Sequence, residues 1–289
     1  MNTPPNRFVL RQLFTDPSGG MINIRILTTF LRLVFEHSNA SDKEKTDVSG
    51  LLTILALKLT AVWHHKKNYI ELEDKLVLEA RASPIEPTGQ DAIRLRTAQG
   101  LYLELDGFLV QLKSTLDHMT SILAFGMGLP FSGLTTFGDK GNKVVTQLRR
   151  NVARELKPLA ERLAQYVEKN HEWLGFAISV RDRMNHYKDG GLSLDAFMVY
   201  AQAKDGAVEV STPRLQRDQT VRELLEVLYI NLFDFVEHFL GIAFIPRLPG
   251  VGLRRINGTA EDVTLPRWES VPIEFLRSLE PKPGFKPYT

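Results

Sequence analysis

The residue types most able to do chemistry are concentrated in one short segment, residues 181–191. The segment reads Arg-Asp-Arg-Met-Asn-His-Tyr-Lys-Asp-Gly-Gly. It closes a predicted helix that begins near His171, and the two glycines indicate where that helix stops. A guanidinium binds phosphate oxygens, and a neutral imidazole accepts a proton near physiological pH. The segment therefore favours chemistry on a phosphodiester.

The spacing of Arg181 and His186 adds to this interpretation. On a continuous helix Arg181 shares a row with Asn185, and Asp182 shares the next row with His186. Arg181 and His186 then diverge by about 140° around the helix axis, so they would flank a groove rather than stack. The alternative is a salt-bridged helix end, in which the basic side chains interact with the last carbonyls and Asp182 pairs with His186.

The segment resembles the signature of the HEPN superfamily, in which a His follows an Arg after four to six residues and Asn or Asp commonly comes directly after the Arg. Arg181, Asp182 and His186 match that form with four residues between Arg and His. Tyr187 directly follows the His, whereas the toxin branch places a Tyr two residues after it. The resemblance covers roughly residues 91–246.

A second Arg-x4-His spacing occurs at Arg32 and His37. Leu33 follows that Arg, and the residues between are mostly apolar. We interpret this copy as part of an ordinary amphipathic helix.

The resemblance implies metal-independent RNA cleavage without a cofactor. His186 would be the general base that takes the proton of a ribose 2′-OH, and Arg181 would bind the phosphate and stabilise the transition state. Asp182 would orient the imidazole. Asn185 and Tyr187 would position the substrate.

The resemblance also implies partners. One His does not easily serve as both base and acid, and the family answers this with a homodimer that brings two motifs into one cleft. The implied protein is a toxin or defence effector that acts on RNA. An antitoxin or regulatory protein would be a further partner.

Basic residues precede the motif and could contact an RNA backbone. They are Lys140, Lys143, Arg149, Arg150, Arg154 and Lys157. The RNA contacts that we expect are those of Arg149, Arg150, Arg183 and Lys188. A solvated helix face is the alternative explanation of such a run.

Histidines elsewhere fit ordinary helix positions. His64 and His65 are neighbours on a helix and point about 100° apart, so a solvated helix end explains them better than a metal site does. His118 lies off the apolar stripe of its helix, either exposed or as part of the site.

Composition narrows the classes of protein. The chain of 289 residues is 43% hydrophobic and 24% charged, with a net charge of +2. It has no Cys, which excludes disulfides, thiolate metal sites and a cysteine nucleophile. We find no phosphate-binding loop, dinucleotide fingerprint, HExxH or GxSxG motif. Neither apolar stretch, 51–63 or 227–246, is expected to span a membrane, so the expected location is cytoplasmic.

Helical periodicity dominates the chain and predicts an all-α fold, an up-and-down bundle with one small inserted β-hairpin near residues 193–212. Three regions are expected: an N-terminal helical extension and linker in 1–90, the HEPN-like bundle in 91–246, and an irregular tail in 247–289 with a short helix near 273–279.

Three functions are compatible with these observations. The first is an endoribonuclease of the HEPN type. The second is a non-catalytic HEPN-like module whose groove binds a nucleotide or a protein. The third is a structural helical protein in which the motif is accidental.

Overall fold

Helices dominate the chain in a computed structural model that describes residues 16–82, 93–97, 99–129, 134–186, 194–204, 207–216, 219–255 and 268–272. The first helix, α1, is continuous through Ile22–Thr28, Thr29–Arg32 and Leu33–His37, with π-type turns in the first and last of these segments. The others are α2 (Asp42–Ala82), α3 (Gln99–Met127), α4 (Asn142–Arg150), α5 (Lys157–Lys169), α6 (His171–His186) and α7 (Val221–Phe244). The sequence prediction of a mostly helical protein is confirmed.

Capping side chains fix where two of the long helices begin. The Ser41 hydroxyl accepts a hydrogen bond from the backbone N–H of Glu44 at 3.3 Å. The Glu44 carboxylate accepts one from the backbone N–H of Ser41 at 2.9 Å. Thr220 and Glu223 form the same reciprocal capping box at the start of α7. Each box satisfies amides that the first helical turn leaves unpaired.

Helices α2 and α3 pack antiparallel along their length. His118 of α3 lies against the Leu51 carbonyl near the start of α2, at 2.8 Å. Towards the other end, His65 lies 2.7 Å from Glu104, and Gly100 lies against Leu72. This long α2–α3 pair forms one side of the core.

Helix α7 occupies the centre of the molecule and contacts α2, α3, α5 and α6. Its apolar residues, among them Leu232, Phe235 and Phe239, are almost fully buried. The periodicity of this segment predicts such a buried helix, and the structure confirms it. One continuous apolar core extends from Ile22 to Trp268.

The predicted hairpin is present. Strands β2 (Met198–Lys204) and β3 (Ala207–Ser211) pair antiparallel, with Lys204 opposite Ala207. Strand β1 (Ile93–Thr97), which the sequence pattern did not predict, pairs with β2 and makes the sheet three-stranded. A five-residue strand carries little periodic signal, and only its neighbour in space identifies it.

The remaining strands form two antiparallel pairs: β4 (Arg214–Gln216) with β5 (Gln219–Thr220), and β6 (Val251–Arg255) with β7 (Trp268–Pro272). The β6–β7 pair lies in the tail that we expected to be irregular. Gly241 of α7 leaves room for the indole of Trp268, so this pair packs on the central helix. The short helix expected near 273–279 lies outside the described residues.

The N-terminal helices share the apolar core with the predicted bundle. Arg25 of α1 is 2% exposed and binds Glu237 of α7, which is 1% exposed. Arg222 of α7 binds Glu73 and Asp74 of α2. The domain division at residues 90 and 91 remains a prediction, and the linker around it lies outside the described residues.

Two helical segments, Asp42–Ala82 and Val221–Arg247, are long and apolar enough to cross a membrane by length and composition alone. The expectation that neither apolar stretch spans a membrane stays a prediction, because length and composition alone do not distinguish a spanning helix from a core helix. The most apolar window is 72% buried in the second segment and 33% buried in the first. Core helices of soluble proteins pass the same test, and the structure is compatible with a soluble protein.

Candidate functional site

Helix α6 carries the candidate site and packs against α3, α5 and α7. Its buried residues are Leu174, Ala177, Ile178, Val180 and Met184. The helix begins at His171, directly after the break at Asn170, and it continues to His186. The helical geometry assumed for Arg181 and His186 is therefore present in the backbone.

Arg181 lies in the middle of the buried stripe of α6, which the sequence analysis did not recognise. It is seven residues after Leu174 and three before Met184, so all three lie on one face of the helix. Its Nε atom is buried, whereas the side chain as a whole is 31% exposed. The stem of Arg181 thus lies among apolar side chains, and its charged end extends towards solvent.

Asp182 is the partner of Arg181. The Nη1 atom of Arg181 donates a hydrogen bond to Oδ1 of Asp182 at 2.9 Å, and Asp182 is 45% exposed. The Nε atom of Arg181 is buried without a hydrogen-bond partner in the described part of the chain, and so is the Nε atom of Arg183. Within the described residues, Asp182 is therefore the acceptor that Arg181 binds.

The other motif residues are only partly described. Asn185 and His186 belong to α6 by their backbone, but their side chains lie outside the described part of the structure. Tyr187 and Lys188 lie outside it entirely. The expected roles of these four residues stay predictions, as does the pairing of Asp182 with the imidazole.

Arg149 and Arg150, both expected to contact RNA, have different surroundings. Arg149 binds Glu161 and Glu168 of α5 through four hydrogen bonds between 2.7 and 3.0 Å. These bonds raise the pKa of Arg149 and lower that of Glu161. Arg149 thus connects α4 to α5, and RNA would have to displace a carboxylate to reach it. Arg150 is exposed.

His118 is half-buried and links two helices. Its Nε2 atom donates a hydrogen bond to the Leu51 carbonyl at 2.8 Å, because a carbonyl can only accept. Burial lowers the pKa of His118, and the positive charge of Lys58 lowers it further, while the bond to Leu51 raises it. This hydrogen bond gives His118 a structural role between α2 and α3.

The other histidines considered above, His37, His64 and His65, also have protein partners. His65 lies beside Glu104, and His64 lies 3.1 Å from the amide nitrogen of Asn68. His37, in the second Arg-x4-His spacing, lies 3.3 Å from the Ser270 hydroxyl. Arg32 of that spacing binds Glu36 at 2.8 Å, as expected of an ordinary surface helix. Among the described residues, no group of three His, Asp or Glu side chains is placed to hold a metal ion.

Lys140, one of the basic residues that precede the motif, lies against α6. Its backbone has a positive φ of 59°, and its side chain lies against Gly175 of α6. A Cβ atom at Gly175 would come within 2.8 Å of the Lys140 Cε atom. The glycine therefore allows the lysine stem to cross α6, about 9 Å along the axis from Arg181.

No protein-family model matches this chain, and the comparisons with curated proteins and with solved structures likewise return no match.

Proposed function

We propose that this protein is a metal-independent endoribonuclease of the HEPN type, with its site at the end of α6. The observation that carries the proposal is the position of Arg181. The stem of Arg181 lies on the apolar face of α6, and its partly exposed guanidinium is paired with Asp182 on the same helix as the motif histidine. Its charged end extends towards solvent about one and a half turns before His186.

The proposed reaction begins with proton transfer. The neutral imidazole of His186 takes the proton of a ribose 2′-OH, and the O2′ atom attacks the adjacent phosphorus. The bond between phosphorus and O5′ breaks, which leaves a 2′,3′-cyclic phosphate on one product and a 5′-hydroxyl on the other. The O5′ atom receives its proton from a second acid, which a homodimer supplies through its second copy of the motif.

Arg181 provides the electrostatic part of the reaction. Negative charge builds on the non-bridging phosphate oxygens as O2′ attacks, and a guanidinium can donate to two of them at once. Phosphate oxygens would compete with Asp182 for the terminal nitrogens of Arg181. Asp182, released from Arg181, could then pair with the imidazole one turn later.

The experiment is RNA cleavage in EDTA by the purified protein and by His186→Ala and Arg181→Ala. The second Arg-x4-His spacing supplies matched controls, His37→Ala and Arg32→Ala. We expect wild type and both controls to cleave, both motif variants to lose about 100-fold or more in rate, and the products to end in cyclic phosphate. Activity that survives both motif substitutions would refute the site.

A second candidate function is a non-catalytic HEPN-like module that binds a nucleotide or a protein. The ion pair between Arg181 and Asp182 favours it, because that contact occupies part of the guanidinium with a neighbour on the same helix. This function predicts that RNA or nucleotide binds in a manner dependent on Arg181 while no RNA is cleaved. Cleavage that depends on His186 would exclude it.

A further inference from the structure

We propose that the exposed side of α4, α5 and their connection binds the phosphate backbone of the substrate RNA without reading its sequence. This inference rests on the proposed function, which supplies RNA as the ligand. We call this region the basic surface. Its residues are Lys143, Arg150, Arg154, Lys157, Arg162 and Lys169, all of which are exposed.

The charge of the chain is concentrated here. Residues 142–169 contain seven Lys and Arg and three Glu, a net charge of +4, whereas the whole chain has a net charge of +2. The other 261 residues are therefore slightly acidic in sum. A local excess of this kind attracts a polyanion even when the net charge of the protein is small.

The cations of the basic surface are not neutralised by the nearby glutamates, because Arg149 binds most of those glutamates. Two of the three glutamates, Glu161 and Glu168, both bind Arg149. In the part of the chain that the structure describes, Arg150, Arg154, Lys157, Arg162 and Lys169 form no salt bridge. Glu155 is the remaining acid of this surface. The cations are thus available to an external anion.

Their arrangement suits a chain of phosphates. Lys143 and Arg150 are seven residues apart on α4, and Arg162 and Lys169 are seven apart on α5, so each pair lies on one face of its helix about 10 Å apart. Arg154 lies in the connection between the helices, and Lys157 begins α5. A flexible backbone with regularly spaced charges can contact such a surface at several points.

The kind of ligand follows from what this surface lacks. The exposed large apolar residues among the described positions are Ile54, Leu57, Leu78, Tyr102, Leu103, Val227 and Ile230, and none lies on α4 or α5. Bases stack on exposed aromatic side chains, so a surface without them contacts the backbone. Membrane-surface helices insert apolar side chains beside their cations, so an anionic membrane is the less suitable partner.

Lys140 connects the basic surface to the candidate site. It lies just before α4, is exposed, and crosses α6 at Gly175. RNA that contacts α4 can therefore continue past Lys140 towards the end of α6, where Arg181 lies. The basic surface would hold the strand while the motif acts on one linkage.

The test is RNA binding by the full-length protein in the His186→Ala background, so that bound RNA is not cut. The probes are fluorescein-labelled single-stranded RNAs of mixed and oligouridine sequence, in EDTA, over a series of salt concentrations. The variant Arg150→Gln/Arg154→Gln/Lys157→Gln changes the basic surface. The control Lys43→Gln/Lys75→Gln/Arg81→Gln removes the same charge from exposed positions of α2.

With six phosphate contacts, the logarithm of the RNA association constant should fall with the logarithm of the salt concentration at a slope of about −4 for a single strand. We expect the slope of the basic-surface variant to be shallower, about −2. Its affinity for both RNAs should fall alike, by about tenfold or more at moderate salt. The control should keep most of the affinity and slope. Thermal unfolding verifies folding, and single substitutions, each lowering the slope by about 0.7, replace the triple variant if it unfolds.

Each outcome bears on one proposal. Equal binding and slope in the basic-surface variant and the parent would overturn the inference, whatever the cleavage assay shows. Binding to phosphatidylserine vesicles and not to RNA would overturn it in favour of a membrane. Loss of RNA binding in this variant, in a protein whose wild type cleaves no RNA, would support the basic surface while the nuclease proposal fails.

Discussion

Arg25 and Glu237 show what a single charged residue can do inside this core. The guanidinium of Arg25 binds the Glu237 carboxylate, contacts Asp234 at 3.2 Å and lies 4.4 Å from the centre of the Phe233 ring. Arg25 and Glu237 are both almost fully buried. Charges removed from water in this way are tolerated only as a pair.

The variant Glu237→Gln should therefore be costly. It leaves the Arg25 guanidinium buried with only a half-exposed carboxylate for compensation, so we expect a loss of about 3 kcal/mol in the free energy of unfolding. Urea denaturation measures this. The matched control is Glu36→Gln, which breaks an exposed pair with Arg32 and should change stability by less than about 0.5 kcal/mol. Equal effects of the two variants would contradict the argument.

His118 makes stability depend on pH. Because burial lowers its pKa below the ordinary 6.5, the unfolded chain binds a proton more readily than the folded protein does. The contribution of neutral His118 is then complete above about pH 6.5 and is lost as pH falls below that value.

We expect stability to decrease between pH 7.5 and 5.5 and the decrease to be smaller in His118→Gln, whose amide can still donate to Leu51. Other titrating groups cancel in the difference between the two proteins. The measurement is the urea midpoint at several pH values. Parallel pH profiles for wild type and variant would contradict the shift.

At the scale of elements, the contact between α3 and α7 depends on one glycine. Gly126 lies against the backbone of Ala243, and a methyl group there would overlap the Ala243 carbonyl oxygen. Backbone atoms cannot rotate away as a side chain does, so the two helices would have to separate.

Gly126→Ala should therefore destabilise the protein by about 2 kcal/mol or more, because overpacking forces the backbone to shift. Gly50→Ala is the matched control. Gly50 lies inside α2 with open space around it, so alanine should stabilise the helix by about 1 kcal/mol. Calorimetric melting of both variants should show shifts of opposite sign. Two shifts of the same sign would refute the close approach of α3 and α7.

Elements also differ in how well sequence predicts them. The apolar spacing of α7 identifies a buried helix because 24 residues repeat the same pattern. The β2–β3 hairpin follows from two extended segments and a turn-like sequence between them. Strand β1 and the β6–β7 pair are not predicted in this way, because no short turn joins these strands to their partners and only their pairing in space identifies them.

At the scale of the whole molecule, the proposed reaction requires two copies of the motif. One imidazole does not easily take the 2′-OH proton and protonate O5′ at the same time, so the proposed reaction needs a second acid. A homodimer supplies that group if the ends of two α6 helices share a cleft.

We therefore expect a mass of twice 32.7 kDa by light scattering after gel filtration. Cleavage per protomer should fall when the protein is diluted below the dimer dissociation constant. Cleavage that stays constant per protomer down to concentrations where light scattering gives a monomer would contradict the shared cleft.

The sequence by itself determined the helical class of this protein, the central buried helix, the hairpin and a helix that begins near His171 and carries Arg181 and His186. These follow from local periodicity and turn chemistry, which act over a few residues. The sequence also indicated the Arg181–His186 spacing, whose chemistry remains a proposal.

Only the tertiary structure decided which charges are available. Arg149 and Arg150 are neighbours in sequence and both exposed, yet Arg149 binds two carboxylates of another helix, while Arg150 forms no salt bridge with the described residues. Likewise, Lys140 reaches α6 only because Gly175 leaves space for it. The energy of a charge depends on what surrounds it in space, and residues far apart in the chain supply those surroundings.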